Sequence, residues 1–118
     1  MIELTGLNGE RVLIAPATIC RIRPGDLFGP PLSTEVEYAG GYLFTDEDVS
    51  ALIKRLEKSL KLVALTTRSG LKVYLNAAAI TRVRRALAIN GTGTELVVGG
   101  HYQHVVEDLA EVEALIGV

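Results

Sequence analysis

Three sets of residues in this 118-residue chain are of types that do chemistry. Cys20, the single cysteine, is followed by Arg21 and would be a thiolate nucleophile if a base and an electropositive pocket lay beside it. His101 and His104 are of the type that ligates metal ions. Arg21, Arg23, Arg82, Arg84 and Arg85 are of the type that contacts phosphates or an acidic partner. Spacing argues against the first two chemistries. Adjacent side chains on a strand point to opposite faces, which turns Arg21 away from Cys20, and a three-residue spacing on an extended segment does the same to the histidines. Cys20 therefore reads as a small buried residue and His104 as a partly buried ring that begins a helix. No catalytic residue, metal site or cofactor is expected. Gly91-Thr-Gly93 lacks the Lys-Ser/Thr ending of a phosphate loop and reads as a hairpin turn.

The arginines alternate with Ile22 and Val83, so they are expected on the solvent side of their strands, where a pseudo-twofold arrangement would gather them into one stripe. Nucleic-acid binding through that stripe is the alternative function. Against it stand a net charge of −2 and the lack of interleaved aromatic residues for base stacking, which favour a solubilising role. A protein partner has a different candidate site. Leu27-Phe28-Gly29-Pro30-Pro31 puts apolar side chains into a stiff loop, and a Pro-Pro pair reduces the entropy lost on docking. Leu27, Phe28, Pro30 and Pro31 are the expected partner-binding residues.

What must position these residues is a repeat. Leu4-Thr5 recurs as Leu65-Thr66, Gly9 as Gly70, Val12 as Val73, and the stretch Ala17 to Arg23 as Ala78 to Arg84, at an offset of 61 residues. The offset then becomes 60: Glu35 answers Glu95, Tyr42 answers Tyr102, and Asp48-Val49 answers Asp108-Leu109. Such self-similarity predicts two copies of one module, over residues 1–60 and 61–118. A unit of about 60 residues buries too little surface to be comfortably stable alone, so the copies are expected to share a core or a sheet.

Each module is expected to open with a hairpin, turning at Asn8-Gly9 in the first copy and at Gly70 in the second. Ile19 with Ile22, and Ile80 with Val83, fit a single helical turn running into a third strand. Thr34 to Tyr38 and Thr94 to Val98 read as fourth strands, with short fifth strands around Tyr42 to Phe44 and His101 to Gln103. An amphipathic helix closes each copy, capped by Thr45 in the first and beginning near Val105 in the second. The predicted fold is therefore α+β: two tandem β-rich modules of four to five short antiparallel strands plus a C-terminal helix, forming an intramolecular pseudo-twofold dimer.

The order Met1-Ile-x-Leu-Thr-x-Leu-Asn-Gly9, a strand, Ile-x-x-Ile, a loop, a strand ending in Gly, a Tyr and a terminal amphipathic helix resembles the FlbD/SwrD family of small flagellar and swarming motility proteins, best over residues 1–60. The resemblance implies a bacterial accessory role in motility without an active site. The chain departs from that pattern in carrying two modules and the Leu27–Leu32 insertion. Its single cysteine fits a reducing compartment, and its first residues lack the charged-then-apolar pattern of a secretory leader. No apolar run is long enough to span a bilayer. The expectation is a non-enzymatic cytoplasmic binding or assembly protein with an unidentified protein partner, open to self-association.

Overall fold

The computed structural model describes residues 1–25 and 33–117. The partner-binding loop expected at Leu27, Phe28, Pro30 and Pro31 lies outside the described residues. The first half runs β1 (Ile2–Thr5), β2 (Arg11–Ile14), a 3₁₀ turn (Pro16–Thr18), β3 (Ile19–Pro24), β4 (Thr34–Tyr38), β5 (Gly41–Thr45) and α1 (Val49–Leu56). The second half repeats that order as β6 (Leu62–Thr66), β7 (Lys72–Asn76), a 3₁₀ turn (Ala77–Ala79), β8 (Ile80–Arg85), β9 (Thr94–Val98), β10 (His101–Val105) and α2 (Leu109–Ile116), with a further 3₁₀ turn at Ala88–Asn90. The class is mixed α+β, with ten strands in three antiparallel sheets and two helices among the described residues.

Local chemistry explains the elements. Gly9 and Gly70 sit at φ 82° and 87° in the hairpin turns, where a side chain would be strained. The Ile-x-x-Ile spacing has its explanation in β3, where the register shifts between Ile19 and Arg21. A bulge of this kind spends an extra residue, so Ile19 and Ile22 both enter the first core while Cys20 turns to the other side. The same shift occurs between Ile80 and Arg82 in β8.

The helix starts differ from expectation. Thr45 is the last, buried residue of β5, paired with Thr34. Asp48 is the cap instead, its side chain accepting from Ser50 N at 3.1 Å. Val105 likewise ends β10, and Asp108 caps α2 by accepting from Glu111 N at 2.8 Å, within a reciprocal capping box. Thr34 Oγ1 and Thr94 Oγ1 donate to the carbonyls of Glu47 and Glu107, both at 2.8 Å, which fixes the turn into each helix in the same way.

Each module has its own core. Leu4, Ile14, Ile19, Ile22, Val36, Leu52 and Leu56 form one cluster. Val63, Leu65, Val73, Leu75, Leu96, Val98, Val105 and Val112 form the other, together with Cys20 of the first module. The halves join through a shared sheet, with Cys20 of the first entering the second cluster and Leu62 and Tyr74 of the second packing on the first, in a body 43 × 27 × 24 Å across. The central sheet has the order β5-β4-β3-β7-β6, so the hairpin of the second module docks on the free edge of the meander of the first. Arg21 faces Leu75 and Ile22 faces Tyr74 across this seam. Asn76 reinforces it: its Nδ2 donates to Ile19 O at 2.8 Å while its Oδ1 accepts from Ala78 N at 3.1 Å.

A dyad would turn the β3–β7 pair into a second pair, β8–β2. Among the described residues β8 pairs only with β9 and β2 only with β1. The strand pairing therefore joins the modules one way, and the expected pseudo-twofold arrangement does not show in it. Within each module a backbone contact also links the hairpin to the end of the fifth strand: a Gly6–Thr45 bridge in the first, and Val106 N donating to Thr66 O at 2.9 Å in the second. Asn76→Leu is expected to lower stability by about 1–3 kcal/mol, because it leaves the Ile19 carbonyl buried without its donor. Denaturant unfolding, with faster amide exchange localised to β3 and β7, checks this.

Candidate functional site

The seam gathers the most polar chemistry in the molecule. Arg-Ile-Arg on β3 lies against Glu-Val-Glu on β4, with Arg21 opposite Glu37 and Arg23 opposite Glu35. Arg21 reaches Glu37 through both Nε and Nη2, at 2.5 and 2.7 Å, a forked geometry that fixes both side chains. Its remaining Nη1 donates to Gln103 Oε1 at 2.6 Å and lies 3.4 Å from Tyr102 O, which ties the first module to β10 of the second. Arg23 donates to Glu35 at 2.5 Å.

The expectation that Arg21 faces solvent is overturned: only 5% of the residue is exposed. The second module covers the face of β3 on which it stands, and the bulge at Cys20 shifts the alternation that suggested otherwise. Arg23 is half-buried. In the second module Arg82 and Arg84 both donate to Glu95, at 3.2 and 2.9 Å, and the Arg82 guanidinium lies 5.7 Å from the centre of the Tyr102 ring. Arg85 is exposed at the mouth of a groove of about 700 Å³ that it lines with Leu87, Leu109 and Asp108. Arg21 and Arg82 thus both contact the Tyr102 strand, and Arg21, Arg23, Arg82 and Arg84 carry carboxylate partners.

Glu35, Glu37, Glu95 and Gln103 are the residues that the sequence reading missed. The sign was present, since Arg-x-Arg and Glu-x-Glu lie on consecutive strands and alternate with the same period. Burial works to raise the Glu37 carboxyl, but the hydrogen bond from Arg21 and the charges of Arg21, Arg23 and His101 outweigh it and hold the group below its ordinary value of 4.5. Burial pushes the Cys20 thiol up, and Glu37 adds to the push against the opposing charge of Arg21. A thiol held protonated in this way is a poor nucleophile. Its Sγ lies 3.4 Å from Thr18 O, inside the second core cluster.

His104 is half-buried on β10, not at the head of the helix, with Nε2 2.9 Å from Thr92 O and Nδ1 3.4 Å from Arg68 Nη2. His101 is exposed at the start of the same strand. Among the described residues no three of His, Cys, Asp and Glu are grouped to hold a metal ion.

Apolar surface offers a second kind of site. Ile89 is 90% exposed beside Leu87, in the loop of the second module that corresponds to the insertion of the first. A groove of about 190 Å³ runs along β8, lined by Ala77, Ile80, Thr81, Arg82, Val83 and the α2 residues Glu113 and Ile116.

Arg21→Met leaves Glu37 buried with only the more distant Arg23 guanidinium, 3.9 Å away, as an ion-pair partner and is expected to destabilise the fold by up to about 3–5 kcal/mol, whereas Arg82→Met, at an exposed pair, changes stability by less than about 1 kcal/mol. Chemical denaturation of the two variants side by side checks the contrast. Because the folded Glu37 value is depressed, its contribution is complete above about pH 4.5 and disappears as pH falls through the folded value. Unfolding midpoints measured from pH 6 downward should fall more steeply for the unaltered chain than for Glu37→Gln, and parallel curves would refute this.

Comparisons of the chain with protein-family models, with curated proteins and with solved structures return no match.

Proposed function

We propose that this chain is a non-enzymatic binding and assembly protein, and that its working surface is the open edge of β8 with the groove beside it. One observation carries the reading. The equivalent surface of the first module, β3 beside α1, already serves as a docking site, because β7 lies along it and Leu62 and Tyr74 pack onto the core that β3 and α1 enclose. On the second module the same kind of edge stands without a strand among the described residues. Backbone pairing along an edge, with side-chain pockets to select the strand, is a general mode of protein recognition.

The arginines take a supporting part in this reading. Neutralised by Glu35, Glu37 and Glu95, they brace the strands that present the edge rather than offering charge to a polyanion. The repeated element order, and the matching Thr34 and Thr94 hydrogen bonds, support descent of both modules from one copied unit. The resemblance to flagellar and swarming motility proteins makes a cytoplasmic accessory role in motility the cellular reading.

Complementation tests both levels. A deletion strain of the source bacterium should lose swimming or swarming, the intact chain should restore it, and Thr81→Lys, which places a charge on the exposed edge position of β8, should not. Normal motility in the deletion strain would remove the cellular role. Full rescue by Thr81→Lys would remove the β8 edge as the working surface.

A further inference from the structure

Resting on that reading of the β8 edge, the geometry points to its occupant: a second copy of this chain, whose β2 adds to β8 as β7 adds to β3 within one molecule. The internal seam supplies the template. At an offset of 61 residues, β7 corresponds to β2 and β3 to β8, so the two strands left with an open side are the counterparts of the two already joined. The register Arg21–Leu75 and Ile22–Tyr74 becomes Arg82–Ile14 and Val83–Leu13 between copies.

The side chains agree with this pairing at both ends. In the internal seam Tyr74 and Leu62 pack on the first core, beside Ile19 and Ile22 of β3 and Leu52 and Leu56 of α1. Their counterparts are Leu13 and Met1, which are 50% and 81% exposed. The groove that would receive them is the apolar channel beside β8, walled by Ala77, Ile80, Val83 and Ile116. The first module thus holds exposed apolar side chains, and the second holds a slot of matching register that is open among the described residues.

Three differences make the contact between copies weaker than the internal one. Ala15 replaces Asn76 and Leu43 replaces Gln103, removing two hydrogen-bonding groups that the internal seam uses. Ala39 replaces Gly99, where an added Cβ would come within 2.5 Å of Cys20 Sγ, so that strand must stand slightly further from Thr81. Association is therefore reversible and concentration-dependent. Because the two contacting faces are different, it is head-to-tail and continues beyond a dimer, into an open chain or a ring.

Sedimentation of the purified chain from low micromolar to millimolar concentration tests this. The mass should rise above 12.7 kDa with concentration. Leu13→Lys and Thr81→Lys, both at exposed positions and with unchanged melting temperatures, should each remain monomeric. Mixed in equal amounts they should form a heterodimer that grows no further, since each carries the intact face that the other lacks. A chain that stays monomeric at every concentration overturns the inference, as does self-association surviving in either variant alone or a mixture that stays monomeric. If the chain is monomeric and Thr81→Lys still fails to restore motility, the second copy is excluded while the docking edge stands.

Discussion

The architecture depends on β3 being claimed from outside its own module. Residues 19–24 are paired on one side by their own meander and on the other by a hairpin some fifty positions later in the chain, and burial follows from that pairing. Four consecutive residues of β3, Ile19 to Ile22, are buried, whereas the matching residues of β8, Ile80 to Val83, run half-buried, exposed, exposed, half-buried. The same sequence motif is thus an interior strand in one copy and a surface strand in the other. Since an edge strand with open backbone groups invites pairing, this difference is the physical origin of the surface assigned to binding.

Charge placement follows the same logic. An arginine taken out of water needs a geometrically matched partner, and Arg21 has one in the forked contact with Glu37, completed by Gln103. On β8, water solvates the equivalent Arg82, and a single shared carboxylate, Glu95, suffices for two arginines. The second copy has Val97 where the first has Glu37. The loss of one acidic residue therefore tracks the loss of burial.

Much of the fold is legible in the sequence because it is set locally. Strands β4 and β9 begin and end where the alternation of Thr34–Tyr38 and Thr94–Val98 places them, and glycines mark the hairpin turns. The helix caps were misplaced by three residues because Thr45 and the acidic run Asp46 to Asp48 all suit a helix start, and only the pairing of Thr45 with Thr34 decides between them. Burial of Arg21 was not legible at all. It arises from the bulge at Cys20 and from the arrival of β7 and β10, both of which are tertiary facts. The direction of the junction was likewise hidden, since a repeat announces two similar units without saying whether they meet by rotation or in file.

The long reach of the β3–β7 seam has a consequence for biosynthesis. The chain emerges from the ribosome in order, so the first module is complete through α1 before any of β7 exists. At roughly 5–20 residues per second, the interval between release of β3 and release of its partner lasts seconds. Throughout it, the nascent first half displays the open edge of β3 and an Arg21 that has Glu37 but lacks the Gln103 acceptor. The acceptor strand must wait for β7 to be translated, and any holding factor that acts on this protein would act in that window.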